Sequence, residues 1–284
     1  MPPVPMSTPG QASWRQSPSA LRQRVVTAIV LIAGMLVALF LMPPAVGMLA
    51  LALVILGGAW EWAGFFGADR RSALRVGYAA AVGAVMALCW WITDLAPGLH
   101  RVILWMSALW WTVALAWLCR FPTRIPVGVN VACGFLVLVP AWLALARLLY
   151  GVRGAEWLLF VFVLVWAADI GAFFVGRAMG RVRLAPLVSP GKTWEGVLGG
   201  LLTAGCAALA GALWFHLPAL GFVALCLATA LGSVVGDLTV SMFKRHAGLK
   251  DSSDLLPGHG GILDRIDSMM AAAPLFVLGL GWLG

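Results

Sequence analysis

Charge is the scarcest property of this chain. Of its 284 residues, 11% are Asp, Glu, Lys or Arg and 62% are hydrophobic, whereas a soluble domain carries roughly 25% charged residues. So few polar side chains cannot cover a water-soluble core, so a soluble fold is excluded and most of the surface must face lipid. Cysteine is also scarce. Cys89, Cys119, Cys133, Cys206 and Cys226 are scattered and form no CxxC pair, which leaves neither a zinc site nor a disulfide framework. They read as small apolar packing residues. Residues 1–20 are proline-rich and lack any apolar run. They read as a disordered tail rather than a cleaved signal, with the first hydrophobic segment acting as an uncleaved anchor.

What the chain does have is long apolar runs. A membrane span needs about 20 such residues, and nine segments qualify: 25–42, 45–66, 74–93, 102–119, 127–149, 156–176, 194–215, 219–243 and 265–283. The expected fold class is therefore an all-α polytopic integral membrane protein with about nine transmembrane helices. With the N-terminus cytoplasmic, only Arg101, Arg147 and Arg153 of the 19 Lys and Arg residues fall outside. That asymmetry supports both the span count and the orientation. It puts the loops 177–193 and 244–264 on the cytoplasmic side, where water-soluble nucleotides are found. The net charge of +8 follows from this topology, and nucleic acid is not an expected partner. Tryptophan pairs such as Trp90-Trp91 and Trp110-Trp111, with Trp60 and Trp62, lie near segment ends and read as an interfacial belt. Glycine is frequent over 196–212, which predicts close helix packing there.

Acidic residues are uneven. Seven of the 11 follow residue 168: Asp169, Glu195, Asp237, Asp251, Asp254, Asp264 and Asp267. Residues 21–155 accordingly read as a transmembrane scaffold and 156–284 as the catalytic region. Within the first five spans Glu61 is the only acid. As scaffold it should be dispensable for chemistry. Asp169 and Asp237 lie inside apolar runs, where an unpaired carboxylate costs roughly 2.5–3.5 kcal/mol on insertion scales. A cation, a metal ion or a polar cavity must offset each. A structural arginine pair would suffice for one such acid; two acids beside a charged cluster favour a site.

That cluster is Ser241 to Asp267, SMFKRHAGLKDSSDLLPGHGGILDRID. Asp264 and Asp267, three apart, share a helix face if the last helix begins there, and both also suit its first turn. The glycines around His259 allow close backbone approach and exposed N–H groups. Acids, amides and cations together are the inventory for a phosphate chain with a divalent cation. A second motif is Ser189-Pro-Gly-Lys-Thr-Trp-Glu-Gly196. It is not a P-loop, because Pro186 stands where the first glycine is required. A helix cap at Ser189 or Thr193 with Glu195 in the first turn explains part of it. Lys192 at a helix N-terminus opposes the dipole, and an anion shared with the helix amides would resolve that conflict.

Taken together, these residues resemble the signature of the phosphatidate cytidylyltransferase (CDP-diacylglycerol synthase) family. The match runs through Asp169-Ile-Gly-Ala-Phe-Phe-Val-Gly-Arg177, Ser189–Gly196, Gly236-Asp237, Ser241-Met-Phe-Lys-Arg245, Lys250-Asp251, Pro257-Gly-His-Gly-Gly261 and Asp264-Arg-Ile-Asp267. It covers about residues 165–270; the amino-terminal half matches only as a generic multi-span region. The resemblance implies transfer of the cytidylyl group of CTP to phosphatidate, giving CDP-diacylglycerol and pyrophosphate, in the lipid bilayer. It implies Mg²⁺ and a second, monovalent cation such as K⁺. By position, Asp237, Asp264 and Asp267 become metal ligands. Asp237, Asp264, Lys250 and His259 become catalytic. Ser189, Lys192, Ser241, Lys244, Arg245 and Arg265 become substrate contacts. The expected location is the cell (inner) membrane, with the site facing the cytoplasm; a homodimer is compatible with a flat lipid-facing scaffold. Two other readings compete with this one. A CTP-dependent polyprenol kinase is disfavoured by the long 241–267 signature. An anionic-solute transporter would need polar residues in the first five spans.

Overall fold

A computed structural model describes residues 18–96, 98–256 and 260–283. Among these, nine α-helices follow in order: α1 (Pro18–Phe40), α2 (Pro44–Trp62), α3 (Ala73–Leu95), α4 (Leu99–Leu118), α5 (Val127–Leu149), α6 (Gly154–Met179), α7 (Trp194–Phe215), α8 (Ala219–His246) and α9 (Leu263–Leu280). Each coincides with one apolar segment of the sequence. Residues 1–17 of the expected tail lie outside the described residues, and Pro18 already opens α1. Local chemistry sets the boundaries. Pro44 occupies the first turn of α2, where its missing N–H costs nothing. Ser72 caps α3 by accepting from the Leu74 amide at 3.1 Å. Pro126 and Pro218 precede α5 and α8.

Among the described residues, seven helices, α2 to α8, are long and apolar enough to cross a membrane. The α9 helix falls outside that set because its first turns carry Asp264, Arg265 and Asp267. Large apolar side chains point outward along these helices, among them Leu202, Leu213 and Leu220, as expected where lipid is the solvent. The protein is an all-α polytopic membrane protein. Its most buried span is α5, which packs against α2, α3, α4, α6 and α9.

Two expectations need correction. The 177–193 segment is not simply a loop. The α6 helix continues to Met179, and β1 (Arg183–Ala185) pairs antiparallel with β2 (Ser189–Thr193). The tryptophans do not all form a belt either. Trp91 and Trp282 are exposed, but Trp62 and Trp111 are buried. The Trp62 indole donates to the Asn130 backbone and side-chain oxygens at 3.1 Å, and its ring lies tilted against Phe243 with centroids 5.0 Å apart.

Connections segregate to two ends. At one end Arg70 bonds Asp254 at 2.6 Å, joining the α2–α3 turn to the α8–α9 connection. There also Arg245 donates to the Val188 carbonyl at 3.1 Å, tying the hairpin to the end of α8. At the other end Arg147, closing α5, donates to Thr93 at 2.7 Å near the end of α3. This is the alternation the cation distribution predicts.

Candidate active site

Two cavities open at the hairpin end of the bundle. The first, about 640 Å³, lies between α6, α7, α8 and the hairpin; Asp169, Phe173, Arg177, Arg183, Lys192, Gly196 and Asp237 line it. The second, about 420 Å³, lies between α6, α8, α9 and the α8–α9 connection; Asp169, Asp237, Lys244, Asp251, Asp264, Arg265, Asp267 and Ser268 line it. Asp169 and Asp237 belong to both walls, so the cavities meet at those carboxylates.

The helices bring this about by close approach. A Cβ on Gly200 would lie 2.7 Å from the Ala168 carbonyl, so α6 and α7 pack backbone to backbone beside Asp169. A Cβ on Gly236 would lie 2.7 Å from the Asp267 carbonyl, which fixes α8 against the start of α9. Thr193 caps α7 by accepting from Gly196 N at 3.1 Å. The Glu195 carboxylate accepts instead from the Val182 amide at 3.2 and 3.3 Å, so it anchors the hairpin rather than completing a capping box.

On α8, Asp237 and Ser241 are one turn apart and share a face; the Ser241 hydroxyl donates to Asp237 Oδ1 at 3.2 Å. Lys192 forms an ion pair with Asp237 Oδ2. Lys244 Nζ lies 2.7 Å from Asp264 Oδ1 and 4.0 Å from Asp267 Oδ2. Asp264 Oδ2 accepts from Ser252 N at 2.9 Å, Ser252 Oγ at 3.0 Å and Gly261 N at 2.9 Å. Burial pushes the Asp264 carboxyl up, but the Lys244 hydrogen bond and these amides outweigh it and hold the group below the usual carboxylate range. Asp267 is buried and accepts from Ser268 N at 2.8 Å.

The structure thus gathers Asp237, Asp264, Asp267, Lys192, Ser241, Lys244 and Arg265 around the two cavities. Others stand apart. Lys250 is exposed, outside both linings. Ser189 pairs with Ala185 beside the hairpin turn. Arg245 directs its guanidinium to the carbonyls of Val188 and Leu249, at 3.1 and 3.0 Å. His259 lies outside the described residues. The sequence assigns no role to four charged residues of these linings: Asp169, Asp251, Arg177 and Arg183. It also placed Glu61 in the scaffold, yet Glu61 accepts four hydrogen bonds from the residues around Asp264.

In the second cavity five carboxylates face two cations, Lys244 and Arg265, and oxygen-only donors suit a hard divalent ion such as Mg²⁺. Among the described residues, no group of three His, Cys, Asp or Glu side chains is preassembled to hold a metal ion. Lys192 and Lys244 instead provide the positive charge next to Asp237 and Asp264.

Comparison with known proteins bears on what this geometry is for. The sequence model of the cytidylyltransferase family matches residues 22–282. A phosphatidate cytidylyltransferase of Pseudomonas aeruginosa is 43% identical, covering 92% of this chain and 98% of that protein. One of Haemophilus influenzae is 42% identical, over 90% and 97%. One of Brucella suis is 46% identical over 44% of this chain and 47% of its own.

Proposed function

The chain belongs to the cytidylyltransferase family, and from that premise we propose how its two cavities serve the reaction. The protein transfers the cytidylyl group of CTP to phosphatidate, giving CDP-diacylglycerol and pyrophosphate. A phosphate oxygen of the lipid attacks the α-phosphorus of CTP. The new P–O bond forms as the α–β anhydride bond breaks, and pyrophosphate leaves with the bonding electrons. The attacker is already an anion, so no side-chain nucleophile is required. The barrier lies in bringing two polyanions together.

One observation carries the assignment: a cation-lined cavity and an acid-rich cavity meet at Asp169 and Asp237. Arg177, Arg183 and Lys192 suit a lipid phosphate, beside the amino-terminal end of α7, whose dipole favours an anion. Phe173 in the same wall is exposed, which leaves a path for acyl chains to remain in the bilayer. The second cavity suits the nucleotide triphosphate. Lys244 and Arg265 would meet its oxygens, and Asp237, Asp264 and Asp267 would hold Mg²⁺, which supplies the charge neutralisation two polyanions need. A monovalent ion such as K⁺ belongs to the same proposal. The site would open on the cytoplasmic face of the cell (inner) membrane, a placement supported by the concentration of cations at that end.

The test is pyrophosphate release by purified protein supplied with CTP, Mg²⁺ and phosphatidate, each omitted in turn. Release should require all three and match CDP-diacylglycerol formed. Pyrophosphate without phosphatidate, or lipid product without pyrophosphate, would contradict the reading. Full release without any divalent cation would remove the metal from it.

A further inference from the structure

Glu61 sits in α2, in the half of the chain that reads as scaffold, and is 0% exposed. A buried carboxylate must be compensated or its desolvation is left unmet. Among the described residues every hydrogen-bond donor found on it is neutral, and all come from the far end of the chain. Oε2 accepts from Ser252 Oγ at 2.8 Å and Leu263 N at 2.7 Å. Oε1 accepts from Ser253 Oγ and from Ile262 N at 2.9 Å. Ile262 and Leu263 open α9, and no side chain of α9's own N-cap residue serves them. Glu61 is therefore the cap of α9, supplied from another helix, and it meets the positive end of that helix.

The same contacts reach Asp264. The Ser252 hydroxyl lies 2.8 Å from Glu61 Oε2 and 3.0 Å from Asp264 Oδ2, and its single proton serves one of them at a time. Ser252 N then holds Asp264 from the backbone. Glycine at 261 is required for this closure. A Cβ there would stand 1.9 Å from Ser252 Oγ and 2.6 and 2.7 Å from the two Glu61 oxygens. Gly260 adopts φ +80°, the turn that brings the chain back to Leu256.

We propose that Glu61 is a positioning residue for the nucleotide side of the site: by clasping Ser252, Ser253 and the first amides of α9, it sets where Asp264 and Asp251 stand in the second cavity. This rests on the reading of that cavity as the CTP side. Asp251 and Asp264, which the clasp holds in place, line the second cavity and not the first, so the effect of Glu61 is selective. In Glu61→Gln, one oxygen becomes an NH₂ group facing a hydroxyl and an amide N–H. The hydroxyl can turn; the amide cannot, so one end of the clasp opens.

The experiment measures kinetics for each substrate and hydrogen exchange of the amides over 251–263, in wild type, Glu61→Gln and Gly261→Ala. Removing the residue that orients a ligating group typically costs 10–100-fold. Glu61→Gln should lower kcat/KM for CTP about 10-fold or more, leave the KM for phosphatidate essentially unchanged, and raise exchange over 251–263 but not over α6 and α7. Gly261→Ala changes no charge and wedges the same contacts, so it should reproduce the pattern, and it carries the test if Glu61→Gln does not fold. Equal losses for both substrates would overturn the proposal, as would faster exchange with unchanged CTP kinetics. The exchange arm needs no turnover. A wild type that makes no CDP-diacylglycerol would sink the proposed function while still reporting whether the clasp exists.

Discussion

Asp237 and Asp264 each stand in an ion pair, with Lys192 and with Lys244. A substrate-bound cation arriving at either carboxylate must share it with an ammonium that can itself turn to phosphate. Replacing one by its amide keeps the shape and removes the charge. Asp237→Asn and Asp264→Asn should each lower turnover at least about 100-fold, the scale of losing a ligand or a charge-stabilising group. Initial rates at saturating CTP and phosphatidate check this; near-normal rates in either variant would contradict the assignment. These two residues were legible in the sequence, because a carboxylate in or beside an apolar run demands a partner and the cations cluster nearby. Glu61 was not legible as part of the site. It also lies in an apolar run, but Ser252, the first of its partners, is 191 positions away, and neutral serines and backbone amides leave no charge signal to pair with it. Lys250 is the converse case: its place in the motif suggests a phosphate contact, and its exposed side chain lies outside both cavity linings.

The helices were readable from apolar run length and from the breaks at Pro43-Pro44, Pro126 and Pro218, which fix where each can begin. The hairpin was not, since strands of three and five residues are too short for an alternating pattern to stand out. Its hold on the bundle comes from contacts distant in sequence: Glu195 with Val182, and Arg245 with Val188. The arrangement of connections carries its own prediction. Asp254, in the α8–α9 connection, has a side chain 81% exposed, and Val152, between α5 and α6 at the other end, is 89% exposed. In a background with the five native cysteines replaced, Asp254→Cys should react with a membrane-impermeant maleimide only in inside-out vesicles. Val152→Cys should react only in right-side-out vesicles. Labelling of both from one side would refute the span arrangement, and the reverse pattern would refute the cytoplasmic placement.

Viewed as one molecule, the protein solves a problem of phases. One substrate is soluble in water and the other is held in lipid, and both are anionic. The bundle answers with a cation-lined cavity whose wall includes exposed Phe173, an acid-rich cavity on the other side of α8, and two aspartates shared between them. The amino-terminal half contributes more than a frame, because α2 delivers Glu61 to the start of α9. The most direct measurement supplies CTP labelled at either the α- or the γ-phosphorus and follows where each label goes. The α label should appear in the lipid product and the γ label in pyrophosphate, in equal amounts. Appearance of the γ label in lipid would mean that a different phosphoryl group is transferred and would contradict the mechanism.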